Sequence, residues 1–201
     1  MRGLYLVTPD WEDTDRLLAA TGQALEAGAT LVQYRNKTAS TDLRQEQAGA
    51  LLALCRRHGR PLLVNDHVDL CLQLDADGVH VGGLDAPVAA VRAALGPSKI
   101  VGASCYGQFA LALAAQDAGA SYVAFGGFYP SKVKVYKVST PLHLVARAKE
   151  ALRVPVAVIG GMTAANARPL VALGADMVAA ISSVYLAEDA GAAAGEFAAL
   201  F

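Results

Sequence analysis

Short apolar segments alternate with longer amphipathic segments along the chain. One motif occurs four times: a helical segment ending in Gly-Ala or Ala-Asp, then an apolar strand, as in EAGATLVQY, LDADGVHVG, DAGASYVAFG and ALGADMVAAIS. Glycine suits the left-handed position that ends a helix, and the strand begins almost at once, so the connections are short. The alternation has a period of about 25 residues, which indicates a repeated helix–strand unit.

This alternation predicts eight strands, each followed by a helix. The predicted strands are Leu4–Val7, Leu31–Tyr34, Leu62–Val64, Gly78–Val81, Ile100–Ala103, Tyr122–Phe125, Val156–Ile159 and Met177–Ala180. The predicted helices are Asp13–Ala27, Asp42–Arg57, Val68–Leu74, Pro87–Leu95, Phe109–Ala118, Pro141–Leu152, Ala164–Leu173 and Gly191–Leu200.

Eight βα units in series fit an α/β fold of the (β/α)8 or TIM-barrel type, as a single compact domain over residues 1–201. An open, doubly wound sheet is the alternative, because periodicity does not prove that the sheet closes. The chain has no Gly-x-Gly-x-x-Gly motif after the first strand, which favours the barrel.

Composition narrows the classes of function. Hydrophobic residues make up 54% of the chain and charged residues 17%, with a net charge of −1, so we expect neither a nucleic-acid nor a membrane partner. No apolar run is long enough to span a bilayer or to form a signal peptide. The cysteines Cys55, Cys71 and Cys105 form no CxxC pair, which favours a reduced, cytoplasmic compartment. The oligomeric state stays open, a homo-oligomer included.

In a TIM barrel, functional side chains lie where strands end and the next loops begin. Strand two ends in Gln33, Tyr34, Arg35, Asn36 and Lys37. Alternation points Gln33, Arg35 and Lys37 to one side, toward the barrel mouth. Two cations and an amide at that position suit an anionic, phosphorylated ligand. A solvated loop is the alternative interpretation.

Strands three and four end in carboxylates. Asn65 and Asp66 follow strand three, and Asp85 follows strand four. Because parallel neighbours end at the same edge of a sheet, both carboxylates can face one ion. Oxygen ligands beside a phosphate site suit Mg²⁺. Each aspartate could instead cap the helix that follows it.

The longest irregular segment follows strand six, from residue 126 to residue 140. Long loops in compact domains are usually lids or binding loops. This segment carries Lys132, Lys134 and Lys137, and Gly126-Gly127 at its start could act as a hinge. We expect a cationic flap over the barrel mouth, with a solvated surface loop as the alternative.

Strands five, seven and eight add fewer signals. Ser104 could contact a ligand, cap the next helix, or both, whereas Cys105 is expected to be a small, semi-buried thiol rather than a nucleophile. The glycine pair after strand seven and the segment Ile181-Ser182-Ser183 after strand eight fit the phosphate site of these barrels. His80 is expected to be a hydrogen-bonded interior residue, and Tyr5 a packing residue.

Taken together, the motifs resemble those of the thiamine-phosphate synthase family. They are Gln-x-Arg-x-Lys after strand two, Asn-Asp-x-x-Asp-Leu after strand three, Asp-Gly-Val-His-x-Gly-x-x-Asp at strand four, Gly-x-Ser at strand five, Phe-Gly-x-x-x-Pro-Ser-x-x-Lys at strand six and Ile-Gly-Gly-Met at strand seven. The resemblance covers nearly the whole chain. It implies condensation of hydroxymethylpyrimidine diphosphate with thiazole phosphate, with Mg²⁺ as cofactor and pyrophosphate as the released product.

The resemblance also implies a role for each matched residue. Asp66 and Asp85 would hold Mg²⁺, and Arg35, Lys37 and Lys134 would be catalytic. The pyrimidine diphosphate would be bound by Gln33, Tyr34, Arg35, Asn36, Lys37, Asn65, Ser104 and Lys134. The thiazole phosphate would be bound by Ser131, Gly161, Ile181 and Ser182, with Lys132 and Val133 in the same loop.

Several positions depart from the family pattern. Val133 replaces a threonine, Gly83 stands where glutamine is usual, Cys105 where histidine is frequent, and Gly127 where proline is usual. Two other functions compete with a synthase: a thiazole tautomerase, which shares the barrel, and a degenerate thiamine-phosphate-binding paralogue. A tautomerase would have no use for the full set of cations and carboxylates.

Overall fold

The computed structural model describes residues 1–82, 87–131 and 139–201. Eight parallel strands pair in chain order and close into a barrel, which confirms the predicted fold. The strands are β1 (Gly3–Val7), β2 (Leu31–Tyr34), β3 (Leu62–Asn65), β4 (Gly78–Val81), β5 (Ile100–Tyr106), β6 (Tyr122–Gly126), β7 (Val156–Ile159) and β8 (Met177–Ala180).

Helices connect these strands and cover the outside of the barrel. Within the described ranges they are α1 (Thr14–Glu26), α2 (Thr41–Arg57), α3 (Val68–Leu74), α4 (Val88–Leu95), α5 (Phe109–Asp117), α6 (His143–Ala151), α7 (Ala164–Ala172), α8 (Ser182–Tyr185) and α9 (Ala190–Ala198). The sequence did not predict α8, because a helix of four residues is too short to show a hydrophobic period. None of the helices in the described ranges is long and apolar enough to cross a membrane.

Side-chain alternation along the strands separates two apolar cores. Leu4 and Leu6 point outward and pack against the helices, whereas Tyr5 and Val7 belong to a second cluster inside the barrel. The strands are buried on both faces, as in other parallel sheets. The interior therefore depends on a few inward side chains that fill it from several strands.

Side chains at several helix starts accept hydrogen bonds from free backbone N–H groups. Thr163 accepts from Asn166 N at the start of α7, and the Asn166 side chain accepts from Thr163 N, which makes a capping box. Asp13 and Ser40 cap α1 and α2 in the same way. These caps fix where the loops after the strands give way to helix.

A small residue makes room for a large one inside the barrel. A Cβ atom at Gly102 on β5 would lie 2.3 Å from the hydroxyl oxygen of Tyr122 on β6. The tyrosine side chain therefore occupies the space that any larger residue at position 102 would need. This packing brings a polar hydroxyl to the centre of the barrel.

Candidate active site

A cavity opens at the carboxyl ends of the strands, the end that carries the active site in TIM barrels. It brings together ten residues that the sequence predicted for the site: Gln33, Arg35, Lys37, Asn65, Asp66, Ser104, Ser131, Gly161, Ile181 and Ser182. Asp85, Lys132, Val133 and Lys134 lie outside the described residues, as do Gly83 and Lys137. The expected flap and the shared-ion geometry of Asp66 and Asp85 therefore stay predictions.

Asp10 holds the cationic end of β2 in place. Arg35 Nη1 lies 3.1 and 3.3 Å from the two carboxylate oxygens of Asp10, and Lys37 N donates to the same carboxylate at 2.8 Å. Thr8 adds a second link, because its hydroxyl accepts from Arg35 N and donates to Arg35 O. The backbone of residues 35–37 is thus fixed, and the Lys37 side chain is exposed at the rim.

Two predicted binding residues at the end of β2 and in the loop after it do not line this cavity. Tyr34 Oη donates to Gln47 Oε1 at 3.0 Å, and burial raises the pKa of Tyr34 to about 12. Asn36 Nδ2 donates to Trp11 O at 2.9 Å, and its oxygen accepts from Ala39 N at 3.1 Å. These contacts shape the loop between β2 and α2. Because side chains alternate along a strand, both residues lie on the other side of the chain from Gln33.

A second hollow adjoins the cavity and shares Arg35, Lys37, Asn65 and Asp66 with it. Tyr34 and Asn36 contribute to its wall, together with Arg44 of α2. Arg44 Nη2 donates to Ala39 O at 3.0 Å, while its Nε is buried and has no hydrogen-bond partner among the described residues. The sequence did not single out Arg44, because it looks like any other cation on a helix.

Asp66 has an unusual backbone. Its φ of 62° lies in the left-handed region, which costs a residue with a Cβ atom about 1–2 kcal/mol but is tolerated best by Asp and Asn. Its N–H donates to His80 O at 2.9 Å, and its carboxylate accepts from Asn65 Nδ2 at 2.6 Å. The helix-cap alternative is wrong, because the N-cap of α3 is His67 and no side chain caps it. The exposed Asp66 carboxylate lines both hollows.

The donor set at the end of β3 fits a hard cation. Asp66 offers a carboxylate and Asn65 an amide oxygen, both next to the cations of β2. Within residues 1–82, 87–131 and 139–201, no three His, Cys, Asp or Glu side chains form a group that could hold a metal ion. A Mg²⁺ site with a phosphate-bearing ligand needs few protein ligands, since water and phosphate oxygens complete its shell.

A continuous chain of hydrogen bonds crosses the barrel interior. Gln33 Nε2 donates to Tyr5 Oη, and Tyr5 Oη lies 2.7 Å from Tyr122 Oη. Tyr122 Oη lies 2.7 Å from His80 Nδ1, and His80 Nε2 lies 2.9 Å from Ser104 Oγ. We call these five residues the buried polar chain. Gln33, Tyr5, His80 and Ser104 also line the cavity.

The structure confirms His80 as a hydrogen-bonded interior residue. For Tyr5 the expectation of simple packing was incomplete, since its hydroxyl joins Gln33 to Tyr122. Tyr122 was not singled out at all. The alternation of inward and outward side chains along the strands could have identified both tyrosines. Tyr5 and Tyr122 occupy inward positions on β1 and β6, as Gln33 does on β2.

Cys105 follows Ser104 at an irregularity in the pairing of β5 with β6. Its side chain is buried, and burial raises the pKa of the thiol to about 12. Because the thiolate is the reactive form, such a thiol is a poor nucleophile at neutral pH. Cys105 is thus a free thiol that is more fully buried than the sequence indicated, and its lack of a nucleophilic role stays a prediction.

The opposite side of the cavity is formed by loops after β6, β7 and β8. Gly161 has a φ of 61°, and a Cβ atom there would lie 2.2 Å from Pro130 O. The glycine thus allows the β7 loop to approach the β6 loop, which brings Ser131 to the cavity. Ile181 and Ser182 line the same side, where the short helix α8 begins.

Comparison with known proteins gives a consistent result. Residues 4–184 match a family model described as thiamine monophosphate synthase. A thiamine-phosphate synthase of Janthinobacterium sp. (strain Marseille) is 63% identical and covers 100% of this chain and 97% of its own length. A thiamine-phosphate synthase of Nitrosomonas eutropha is 47% identical, with 99% of this chain and 94% of the relative covered.

Solved structures agree at two levels. A thiamine phosphate pyrophosphorylase from Pyrococcus furiosus superposes with a TM-score of 0.85 at 34% identity, covering 98% of this chain and 94% of that one. A 3-hexulose-6-phosphate synthase superposes over 100% of both chains with a TM-score of 0.73. Its sequence identity is only 23%, so this similarity supports the fold and not the function.

Proposed function

The chain belongs to the thiamine monophosphate synthase family, and from that premise we propose how its residues share the work of the reaction. The activity is that of a thiamine-phosphate synthase, a transferase that condenses a pyrimidine diphosphate with thiazole phosphate and releases pyrophosphate. The observation that carries our assignment of roles is the single cavity in which β2 cations, the β3 carboxylate and the β6–β8 loops meet.

The diphosphate is assigned to the rim after β2 and β3. We define the charged rim as Arg35, Lys37 and Asp66, which line both hollows. Arg35 and Lys37 are assigned to the diphosphate oxygens, and Lys134, which lies outside the described residues, is assigned to the same group. Charge-assisted contacts of this kind are stronger than neutral ones, and they stabilise the negative charge that grows on the departing pyrophosphate.

The aminopyrimidine ring is assigned to the inner end of the cavity. Gln33 and Ser104 line the cavity from separate strands and can offer polar groups to the edge of a ring, and Asn65, which also lines it, is assigned to the diphosphate. The thiazole phosphate is assigned to the opposite side, where Ser131, Gly161, Ile181 and Ser182 lie. Tyr34, Asn36, Lys132 and Val133 complete the proposed binding residues, the first two by shaping the β2 loop.

Asp66 and Asp85 are the proposed Mg²⁺ ligands. When bound, Mg²⁺ supplies a positive charge that neutralises diphosphate oxygens. The left-handed backbone of Asp66 supports this role, because strained conformations often occur at functional positions.

Catalysis requires no nucleophilic side chain under this assignment. The bond between the pyrimidine methylene carbon and the diphosphate oxygen breaks first, and the electron-rich ring stabilises the cation that develops on the carbon. The thiazole nitrogen then forms the new bond to that carbon. The protein contributes positioning and charge stabilisation.

Pyrophosphate release in the presence of both substrates and Mg²⁺ tests these roles. We expect Lys134→Ala to lower turnover about 10²-fold or more, the scale of losing one preorganised group. Arg153→Ala is a matched control, because Arg153 is an exposed cation just before β7, at the opposite end of the barrel. Wild-type turnover in Lys134→Ala would contradict the assignment.

The same proposal covers partners and compartment. The partners are small phosphorylated molecules, and the compartment is the cytoplasm. Cys55, Cys71 and Cys105 are all free and buried, which supports a reducing environment.

A further inference from the structure

The buried polar chain is more elaborate than the support of two binding residues requires. It links side chains from five strands, and its two ends, Gln33 and Ser104, line the cavity. Each internal member bonds to both neighbours, so no member can change its hydrogen bonding alone. The direction of the hydrogen bonds is therefore a property of the whole chain.

Each tyrosine hydroxyl carries one proton, so it can donate only one of its two bonds. Burial raises the pKa of both Tyr5 and Tyr122 well above that of an exposed tyrosine, so both stay protonated. Among the described residues each of these hydroxyls has two hydrogen-bond neighbours, so a hydroxyl that accepts from the first keeps its own proton bonded only by donating to the second. Direction is thereby passed from one residue to the next.

The Gln33 amide sets the direction. With Gln33 Nε2 as the donor to Tyr5, a single direction along the chain makes Tyr5 the donor to Tyr122 and Tyr122 the donor to His80 Nδ1. If Nδ1 accepts this bond, the ring proton lies on Nε2, which donates to Ser104 Oγ. Gln33 Oε1 is left as an acceptor and the Ser104 hydroxyl as a donor toward the ligand.

The reverse direction would satisfy the same internal bonds but present the opposite groups. Gln33 would offer its NH₂ group, and Ser104 would offer only an acceptor. A chain of mixed direction would contain a hydroxyl that accepts from both neighbours and leaves its own proton unbonded, or two acceptors that face each other, and either arrangement costs free energy in the barrel interior. The chain therefore has two states, and they prefer ligands with opposite hydrogen-bonding patterns.

We propose that Tyr5, Tyr122 and His80 are positioning residues that hold Gln33 as an acceptor and Ser104 as a donor, and so make the site select a 4-aminopyrimidine over a 4-oxopyrimidine. The amino compound offers an NH₂ donor beside a ring-nitrogen acceptor, and the oxo compound offers a carbonyl acceptor beside a ring N–H donor. This inference rests on the proposed assignment of Gln33 and Ser104 to the pyrimidine ring.

The histidine tautomer is the first test, and it needs no turnover. Nitrogen NMR of ligand-free protein labelled at histidine should show His80 with the proton on Nε2 and with Nδ1 unprotonated. Assignment uses His80→Gln, whose spectrum lacks the signal. A proton on Nδ1 would mean that the chain runs the other way, and the proposal would be wrong.

Substrate selectivity is the second test. The ratio of kcat/KM for the 4-amino diphosphate over its 4-oxo analogue should be about 10²-fold or more in the wild type, because a site built to hydrogen-bond one pattern rejects the other strongly. Tyr122→Phe removes the central hydroxyl, so the two halves of the chain can orient independently. We expect the ratio to fall to within about 10-fold.

Tyr185→Phe is the matched control. Tyr185 is also a buried tyrosine with a hydrogen-bonded hydroxyl, but its partner is Thr21 outside the buried polar chain. It should keep the wild-type ratio. If Tyr122→Phe lowers kcat/KM for both substrates equally and leaves the ratio unchanged, Tyr122 has only a structural role and the inference is wrong.

The two tests also separate this inference from the proposed function. If the wild type releases no pyrophosphate from the 4-amino substrate and thiazole phosphate, the proposed function is wrong, whatever the tautomer. If it does release pyrophosphate but His80 carries its proton on Nδ1, only the direction of the chain is wrong.

Discussion

The buried polar chain and the charged rim lie next to each other but differ in how their polar groups are satisfied. Tyr5 is 1% exposed, Tyr122 0%, Gln33 4% and His80 7%, and each of them is hydrogen-bonded inside the protein. In the charged rim, by contrast, Lys37 and Asp66 are exposed. Arg35 is the intermediate case, because Asp10 pairs with it.

This difference suggests that the two regions have different functions in the enzyme. Buried groups that are held by hydrogen bonds inside the protein are rigid, so the ends of the chain can distinguish one uncharged ring from another. Exposed charged groups can still form ion pairs and hydrogen bonds with a ligand, so they can bind the diphosphate and stabilise its growing charge. The first region should therefore dominate stability and selectivity, and the second should dominate turnover.

The largest expected effect is on turnover when a rim cation is removed. Arg35→Ala should lower kcat by about 10²–10³-fold, the scale of losing one preorganised charge. The free energy of unfolding should change by about 1 kcal/mol or less, because the lost ion pair with Asp10 is partly exposed. Steady-state kinetics and chemical denaturation of the same preparation measure both quantities.

Arg57→Ala is the control for that variant, since Arg57 is an exposed cation at the end of α2. It should match the wild type in both measurements. A large loss of stability in Arg35→Ala with little change in kcat would contradict the assignment of turnover to the charged rim.

An intermediate effect is expected in the buried polar chain. Tyr122→Phe leaves the hydroxyl of Tyr5 and Nδ1 of His80 without their shared partner. Each unsatisfied buried group costs about 1–3 kcal/mol, so the free energy of unfolding should fall by at least that amount. Urea denaturation measures the loss. A variant as stable as the wild type would show that the two groups find other partners.

The smallest expected effect is a difference in stability between two variants of Asp66, which separates the role of its charge from the role of its backbone conformation. Asp66→Asn and Asp66→Ala should both lose turnover, because both remove the carboxylate. Asn tolerates the left-handed φ of 62° better than Ala, so the two variants should differ by about 1 kcal/mol in the free energy of unfolding. Equal stability of the two variants would mean that the backbone relaxes at this position.

Much of the fold followed from the sequence because hydrophobic period and glycine spacing are local signals. The bounds of β2, β4, β7 and β8 agree with the prediction residue for residue. β5 was predicted to end at Ala103 but continues to Tyr106, with an irregular register that a local pattern does not reveal.

The site was only partly predictable for a related reason. Gln33, Asp66 and Ser104 were found because they end strands, where polar residues are conspicuous in an apolar chain. Tyr5 and Tyr122 are amphipathic and lie within strands, so they look like core residues in sequence. Their hydrogen bonds depend on the curvature that brings β1 and β6 face to face across the barrel.

The most direct test is whether the charged rim, and not the buried polar chain, binds the diphosphate. The quantity to measure is the affinity for pyrophosphate alone, by titration calorimetry in the presence of Mg²⁺. We expect Arg35→Ala to weaken binding about 10-fold or more, because a charge-assisted contact is lost, and Tyr122→Phe to bind pyrophosphate like the wild type. If Arg35→Ala binds as tightly as the wild type, or if Tyr122→Phe weakens binding as much as Arg35→Ala does, the diphosphate is not held by the charged rim.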